Sequence, residues 1–130
     1  MTRRWLSIEL VMAIHAEAVA QFGGAAELRD AGLLESALQR PRNLLAYGDE
    51  PSIYELAAAY CAGIVKNHPF IDGNKRAGDL AARAFLFSNG YLFEPDEGQE
   101  VAMIMGLAAG EIDEVALSQW IADNTTPKRR

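Results

Sequence analysis

Residues 52–67 read SIYELAAAYCAGIVKN, and this stretch indicates how the chain folds. Ser52 and Glu55 have the spacing of a capping box, in which each side chain satisfies a free backbone N–H at a helix start. Pro69 disfavours helical geometry at the residue before it, so we expect the helix to end near Asn67. Between these points apolar residues recur three and four positions apart, as on a buried helix face: Ile53, Leu56, Ala57, Tyr60, Cys61, Ile64 and Val65.

A second helix is expected after a short loop, from Asn74 to Ser88, with Asn89-Gly90 as its stop. It is apolar on most sides, which predicts a central and buried position. On the N-terminal side a further helix is expected to end at Gly23-Gly24. Its single apolar stripe consists of Ile8, Val11, Met12, His15, Ala18, Val19 and Phe22.

The remaining segments add shorter helices. One is expected to follow Asp30 and to be closed by Pro41, which leaves residues 42–51 as a polar, mobile loop. Two more are expected roughly over 96–109 and 113–122. Alternating strand patterns are almost absent. The sequence therefore predicts an all-α fold of about six helices around a central buried helix, with the 130 residues in a single domain.

Composition and charge narrow the classes of function. Half of the residues are hydrophobic, which is typical of a globular protein, and the net charge is −6. An acidic surface repels phosphodiester backbones, so direct binding to nucleic acid is not expected. Cys61 is the only cysteine, which excludes an intrachain disulfide. The sequence has no signal segment and no apolar run near eighteen residues, so we expect a cytoplasmic protein without a membrane span.

Five polar side chains stand within nine residues between two apolar helices, in the segment HPFIDGNKR over positions 68–76. Backbone N–H groups from Gly73 to Arg76, at the positive end of the helix dipole, form a natural phosphate cradle. Gly73 lets the backbone approach a ligand closely, and Lys75 and Arg76 add positive charge. Phe70 is expected to turn inward and anchor the loop.

Two further side chains give this segment a chemistry beyond anion binding. A carboxylate beside phosphates is explained if Asp72 holds Mg²⁺, which binds one or two carboxylates, waters and phosphate oxygens. His68 lies outside the cradle, where an imidazole is suited to taking a proton from an attacking hydroxyl. Cradle, metal, positive charge and base are the requirements of phosphoryl transfer. The structural alternative is a turn at Gly73, an N-cap at Asn74 and a solvated Asp72–Arg76 ion pair.

The segment from His68 to Arg76 resembles the signature loop of the Fic/Doc family, specifically its Doc (death-on-curing) branch. The resemblance extends to Phe22-Gly23-Gly24, to residues 29–38 (RDAGLLESAL) and to Asn89-Gly90-Tyr91, and covers roughly residues 5–95. It implies an all-helical fold with a histidine base, an acidic Mg²⁺ ligand, and an asparagine and an arginine that contact phosphate. By resemblance these roles belong to His68, Asp72, Asn74 and Arg76, and Lys75 makes a further phosphate contact.

Position 75 and position 79 bear on which reaction is implied. Fic-type enzymes commonly move AMP from ATP to a protein hydroxyl and have glycine where this chain has Lys75. The Doc branch has lysine there and is similar to a kinase that phosphorylates a translation elongation factor and arrests growth. Many Fic enzymes carry a second arginine at the position of Asp79, where it reaches the terminal phosphate. On a helix Asp79 lies beside Arg76, so the two are expected to form an ion pair.

The resemblance implies a toxin of a toxin–antitoxin pair that uses Mg²⁺ and ATP to phosphorylate a Ser or Thr hydroxyl of a host protein, with translation inhibition as the result. A nucleotidyl transferase (AMPylator) is the alternative. A non-catalytic binding module and an RNA-binding protein are two further classes. The implied partners are the host target and an antitoxin with a disordered segment that folds on binding.

Three residues outside the loop have structural explanations. His15 lies on the apolar stripe of the first helix and is expected to be a core histidine with one satisfied hydrogen bond. Cys61, on a buried helix face, is expected to act as a small hydrophobe. Arg83 lies seven residues after Arg76 on nearly the same helix face, so it either extends the positive site or is structural.

Overall fold

Six α-helices and two short strands make up the computed structural model, which describes residues 3–128. Among those residues no helix is both long and apolar enough to cross a bilayer. In chain order the elements are α1 (Ile8–Phe22), α2 (Ala31–Tyr47), α3 (Ile53–Asn67), α4 (Asn74–Ser88), β1 (Tyr91–Phe93), α5 (Glu97–Ala108), α6 (Glu114–Asp123) and β2 (Thr125–Pro127).

Helix α3 forms the centre of the fold and packs against α2, α4, α5 and α6. Eleven of its 15 residues are buried, with no interruption from Leu56 to Val65. Small residues make this possible, because neighbouring backbones approach closely. A Cβ placed on Gly63 would lie 3.2 Å from the Cα of Ala37, and one on Gly78 would lie 3.0 Å from the carbonyl oxygen of Cys61. The stripe predicted from the sequence is therefore only part of the buried surface of α3.

The bounds of α3 and α4 agree with the sequence prediction. The Ser52 hydroxyl accepts a hydrogen bond from Glu55 N–H, and the Glu55 carboxylate accepts one from Ser52 N–H, each at 3.1 Å. Helix α4 buries eight of its 15 residues against α3, α1, β1 and α5. A buried central helix is thus confirmed, although α3 is more deeply buried than α4, to which the sequence assigned that place.

The prediction that Pro41 closes the second helix is wrong. Helix α2 continues through Pro41 to Tyr47, so most of the loop predicted over 42–51 is helical. A proline within a helix removes one hydrogen bond and costs about 3 kcal/mol, and packing can offset that cost. Pro41 is itself buried, in line with Leu34 and Leu38 on the face toward α3. The helix ends instead at Gly48, whose N–H bonds the carbonyl of Leu44 at 2.7 Å.

A two-stranded antiparallel sheet, absent from the sequence prediction, joins β1 to β2. Tyr91 pairs with Pro127, and Phe93 pairs with Thr125. Strands of three residues are too short to display a period-two pattern, so hydropathy gave no signal for them. The sheet is small, and the all-α prediction is confirmed.

Candidate active site

His68 ends α3 in an unusual backbone conformation. Its φ and ψ are 55° and 54°, in the left-handed region that few residues other than glycine adopt. Its N–H bonds the carbonyl of Ile64 at 3.1 Å, so it closes the helix while its exposed side chain turns away from the core. Within residues 3–128 the imidazole makes no hydrogen bond. A strained residue with a free ring is typical of a functional position.

The N-terminus of α4 is open, unlike the other helix starts in the described part of the chain. Five helices have a side chain that accepts a hydrogen bond from the first turn: Ser7, Asp30, Ser52, Asp96 and Asp113. At α4 the N-cap is Gly73, with φ at 79° and no capping side chain. A Cβ at Gly73 would also lie 3.3 Å from Nε2 of His15. The free N–H groups of this turn are therefore available to an anion.

The side chains of Phe70, His15 and Asn74 hold the loop on the side of the core. Phe70 is fully buried, as predicted, and its ring stacks on that of His15 with centroids 3.6 Å apart. Nε2 of His15 bonds the backbone carbonyl of Asp72 at 2.7 Å, which confirms a core histidine with one satisfied hydrogen bond. The Asn74 amide donates to the carbonyl of Phe70 and accepts from its N–H, both at 2.9 Å. The loop is thus fixed before any ligand binds.

The connection between α1 and α2 clamps the loop from the side. Leu28 and Phe70 form an isolated β-bridge, and Ile71 N–H donates to the carbonyl of Glu27 at 3.0 Å. Arg29 donates from its side chain to the carbonyls of His68 (2.7 Å) and Asn67 (3.0 Å). It therefore stabilises the last turn of α3, where orphan carbonyls need donors. The sequence analysis gave Arg29 no role, because its partners lie 38 and 39 positions away.

A cavity of about 560 Å³ lies above this loop. Val65, Ile71 and Ala108 form part of its wall. The rest of the wall consists of all six predicted site residues: His68, Asp72, Gly73, Asn74, Lys75 and Arg76. The Asn74 side chain, however, is hydrogen-bonded to the backbone of Phe70. The group that Asn74 can offer a ligand is therefore its backbone N–H. One carboxylate oxygen of Asp72 is also occupied, since Oδ2 accepts from Ala25 N–H at 2.8 Å. This bond holds the carboxylate in place and leaves its Oδ1 for a ligand.

The two cations of the cavity form no ion pair with a carboxylate in the part of the chain that the structure describes. Lys75 and Arg76 are exposed, and neither forms an ion pair within 4 Å among residues 3–128. The guanidinium carbon of Arg76 instead lies 4.0 Å from the ring centroid of Phe22, an attractive cation–π geometry. The ion pairs suggested from sequence, of Arg76 with either Asp72 or Asp79, are therefore absent from the structure.

Asp79 is buried and lies against Glu100 of α5 rather than in an ion pair with Arg76. Burial, then the hydrogen bond with Glu100 and its negative charge, raise the pKa of Asp79 to about 8. Burial also opposes ionisation of Glu100, but hydrogen bonds from Asp79 and Arg83 outweigh it and lower the pKa of Glu100. The two carboxyl groups therefore share a proton at neutral pH. The sequence missed this pair because its members lie on different helices.

Arg83 is structural rather than part of the cavity. Its guanidinium donates to the Phe93 carbonyl at 2.5 Å and to the Glu100 carboxylate at 2.6 Å, and so ties α4 to β1 and α5. Cys61 is buried, and burial together with the negative charges of Asp79 and Glu114 raises the pKa of its thiol. A protonated, buried thiol is not a nucleophile, as expected.

Comparison with known proteins shows the family to which the chain belongs. The model of the Fic/DOC family matches residues 5–86, which include the whole loop and α4 as far as Leu86. A protein named Toxin Doc, from Mycolicibacterium smegmatis, is 34% identical over 101 residues, or 73% of this chain and 77% of that protein. A protein named Protein kinase doc, from Escherichia phage P1, is 31% identical over 110 residues, or 84% of this chain and 86% of that protein. The chain belongs to the Fic/DOC family.

Proposed function

We propose that this protein is the toxin of a toxin–antitoxin pair and that it transfers the terminal phosphate of ATP to a Ser or Thr hydroxyl of a host protein. One observation carries the proposal. One cavity is lined by an uncapped helix start, a fixed carboxylate, and two cations and an imidazole that have no partner within residues 3–128. A chain named Protein kinase doc is similar over most of its length.

Phosphate binding is assigned to the first turn of α4. Its backbone N–H groups, including that of Asn74, have no side-chain acceptor in the described part of the chain, and an anionic oxygen would satisfy them. Arg76 can bind two phosphate oxygens at once, and Lys75 supplies a second charge. The Asn74 side chain acts by positioning, since its two bonds to Phe70 set the angle at which the loop meets the helix.

Asp72 is the residue that would hold Mg²⁺. No group of three or more His, Cys, Asp or Glu side chains that could bind a metal occurs within residues 3–128. This fits a magnesium ion that completes its shell with waters and phosphate oxygens, because one carboxylate oxygen is then enough. Asp72 has that oxygen to give, since its Oδ2 is already bonded to Ala25 N–H. Bound there, Mg²⁺ would neutralise charge on the nucleotide phosphates.

His68 is assigned as the base. Its free ring nitrogen takes the proton of the target hydroxyl as the hydroxyl oxygen forms a bond to the γ-phosphorus. The bond from that phosphorus to the β–γ bridging oxygen breaks, and ADP leaves with the electron pair. The left-handed backbone at His68 keeps the imidazole at the mouth of the cavity, where a hydroxyl on another protein can reach it.

Position 79 favours phosphoryl over nucleotidyl transfer. A carboxyl group stands where many Fic enzymes have a second arginine for the terminal phosphate, and that clamp holds ATP in the pose for AMP transfer. Asp79 is buried against Glu100 and offers phosphate no positive charge. Lys75, which by resemblance is typical of the Doc branch, points the same way.

The choice between the two reactions is tested by incubating the protein with a cell lysate and ATP labelled at either the γ- or the α-phosphate. We expect protein labelling from the γ-position only. Transfer from the α-position alone would establish the nucleotidyl transferase instead. Calorimetry with Mg-ATP on the purified chain comes first, because a protein that binds no nucleotide belongs to the class of non-catalytic binding modules.

His68→Ala should lower transfer by about 10²–10⁴-fold, the usual contribution of a general base. The side chain is exposed and unbonded, so thermal unfolding should change little. Lys66→Ala is the matched control, since Lys66 is exposed on the same last turn of α3 and does not line the cavity. If His68→Ala keeps the activity of the Lys66 variant, the base has been assigned to the wrong residue.

The proposed partners follow from the same assignment. A toxin needs an antitoxin, and we propose one with a disordered segment that folds over the cavity. The proposed host target is a protein of translation, with an elongation factor as the first candidate, so that phosphorylation arrests growth in the cytoplasm. Expression of the wild-type chain should stop growth and lower protein synthesis. The His68→Ala chain, expressed at the same level, should do neither.

A further inference from the structure

The backbone conformation of His68 is disfavoured by its own sequence for two reasons. At φ 55° and ψ 54° a residue other than glycine has its Cβ close to the next carbonyl oxygen. The proline that follows, Pro69, also pushes the residue before it toward extended geometry. Such a residue persists only where the surrounding structure holds it. The contacts around His68 therefore decide the direction of its Cα–Cβ bond, and with it the place of the imidazole.

Backbone hydrogen bonds hold the chain on both sides of His68. The N–H of His68 bonds the carbonyl of Ile64 at 3.1 Å. One residue later, the carbonyl of Pro69 accepts from two successive N–H groups of the α1–α2 connection, those of Arg29 (2.7 Å) and Asp30 (3.0 Å). None of these bonds reaches the His68 carbonyl, whose direction sets ψ. That carbonyl accepts instead from a side chain, since Nε of Arg29 donates to it at 2.7 Å.

The Arg29 guanidinium spans two successive carbonyls. While Nε bonds His68, Nη2 donates to the carbonyl of Asn67 at 3.0 Å. These two carbonyls belong to the peptide units on either side of the His68 Cα, and φ and ψ describe the orientation of one unit relative to the other. A planar group with two donors at a fixed spacing restricts that orientation, whereas the single ammonium of a lysine does not. No carboxylate within residues 3–128 pairs with Arg29, so none there competes for these donors.

The phosphate cradle is held by different contacts. The Asn74 amide makes both of its bonds to Phe70, and Nε2 of His15 bonds the carbonyl of Asp72. Arg29 does not line the active-site cavity, and its side chain is exposed. Removal of its guanidinium therefore affects the His68 end of the loop and leaves the cradle in place.

We infer that Arg29 is a positioning residue, which holds His68 in the left-handed conformation by bridging the carbonyls of Asn67 and His68 and so keeps the imidazole where it can accept the proton of the target hydroxyl. This inference rests on the function proposed above and deepens it. Arg29 contacts neither nucleotide nor target and acts through His68 alone.

The first test separates turnover from binding in Arg29→Ala. Transfer of γ-labelled phosphate should show kcat lowered about tenfold, because a residue released from the left-handed region returns mostly to extended geometry. Calorimetry should give wild-type affinities for Mg-ATP and for inorganic tripolyphosphate, which also shows that the variant is folded. Arg29→Lys keeps the charge without the paired donors and should recover only part of kcat. Full recovery in Arg29→Lys would overturn the bridging role.

A double variant tests whether Arg29 acts through His68. In the His68→Ala background Arg29→Ala should lower kcat no further, because there is no imidazole left to position. A general structural loss would lower kcat equally in both backgrounds and would overturn the inference. Arg40→Ala is the matched control and should keep the wild-type kcat. Arg40 is an exposed arginine of α2 that pairs with Glu114 and does not line the active-site cavity.

NMR of the nucleotide-free chain tests the conformation without any need for activity. A strong nuclear Overhauser effect between the amide proton and Hα of one residue marks a positive φ. For His68 it should be strong in the wild-type and Arg40→Ala chains and weakened in Arg29→Ala. An unchanged effect in Arg29→Ala would overturn the positioning role. Absence of transfer in the wild-type chain would overturn the proposed function instead, and the NMR result would still decide whether Arg29 holds His68.

Discussion

Two arginines of α4, two turns apart, have opposite surroundings. Arg76, in the first turn, is exposed, has no carboxylate within 4 Å among the described residues, and rests on the ring of Phe22. Arg83, in the third turn, is bonded to both Glu100 and the Phe93 carbonyl. In the sequence both are arginines on nearly the same helix face. The difference lies in which partners the rest of the chain brings to each.

Arg76 is therefore available to a ligand, whereas Arg83 is already bonded within the protein. A guanidinium with a carboxylate partner has little attraction left for a phosphate, whereas one held by an aromatic face keeps its charge and its donors. The boundary between the two regions is Asp79, which lies between the arginines on the helix and turns toward Glu100. Because Asp79 shares a proton with Glu100, it does not form an ion pair with Arg76.

The largest effect is expected from Arg76→Ala. Removal of a donor that binds charge in the transition state should lower transfer by roughly 10²–10³-fold. The free energy of unfolding should fall by at most about 1 kcal/mol, because the side chain is exposed and loses only its cation–π contact with Phe22. Arg76→Lys keeps the charge without the paired donors and should fall between. Labelled-phosphate transfer and urea unfolding measure the two quantities, and full activity in the alanine variant would remove Arg76 from the site.

The boundary residue predicts a pH dependence of stability. Asp79 keeps its proton in the folded chain up to about pH 8, whereas its ordinary pKa is 3.8. Between these values the folded chain binds more protons than the unfolded chain, so the free energy of unfolding falls as pH rises, by at most about 1.4 kcal/mol per unit. The lowered pKa of Glu100 acts oppositely, but only around and below its ordinary value of 4.5.

Urea unfolding at several pH values from about 5.5 to 8 tests this dependence. The wild-type chain should lose stability across the range, and Asp79→Asn, which has no proton to lose, should lack that component of the slope. Parallel slopes for the two chains would mean that Asp79 is ionised in the folded protein. The carboxylate would then compete with phosphate for Arg76, and the separation of the two arginines would be weaker than the structure indicates.

Arg83→Ala is expected to have the reverse profile of Arg76→Ala. It leaves the Phe93 carbonyl and the Glu100 carboxylate without their donor, at a cost of about 1–2 kcal/mol in the free energy of unfolding. Tripolyphosphate affinity should stay at the wild-type value, since Arg83 does not line the active-site cavity. Arg83→Lys should recover part of the stability. A loss of tripolyphosphate affinity equal to that of Arg76→Ala would place Arg83 in the positive site after all.

The sequence predicted features that depend on neighbouring residues and did not predict those that depend on distant ones. Local signals were sufficient for α3 and α4, because the Ser52 capping box and Pro69 act within a few residues of the bonds they make or prevent. The loop residues that line one cavity were found for the same reason: they are consecutive. Pro41 misled because the packing that keeps it helical comes from α3, outside any local window.

The partners of each loop side chain could not be predicted, since they depend on long-range contacts. Arg29 was missed because the carbonyls it bonds belong to the end of α3. Asp79 was assigned to Arg76, its neighbour on the helix, and the structure gives it to Glu100, 21 positions further along. Asn74 was given a phosphate contact by resemblance, and its amide is bonded to Phe70. In each case the partner of the side chain could not be derived from the residue type.

The smallest effect is expected at Phe22, the residue that holds Arg76. Its side chain is 62% exposed, so it contributes little to the core, although the sequence placed it on the apolar stripe of α1. An exposed cation–π contact is worth about 0.5–1 kcal/mol, so Phe22→Ala should weaken tripolyphosphate binding roughly two- to fivefold and lower the free energy of unfolding by at most about 1 kcal/mol. Phe22→Tyr keeps the aromatic face and should behave as wild type. In the Arg76→Ala background Phe22→Ala should have no further effect, because the ring then has no guanidinium to position. Additive losses in the double variant would mean that Phe22 contacts the phosphate site by another route.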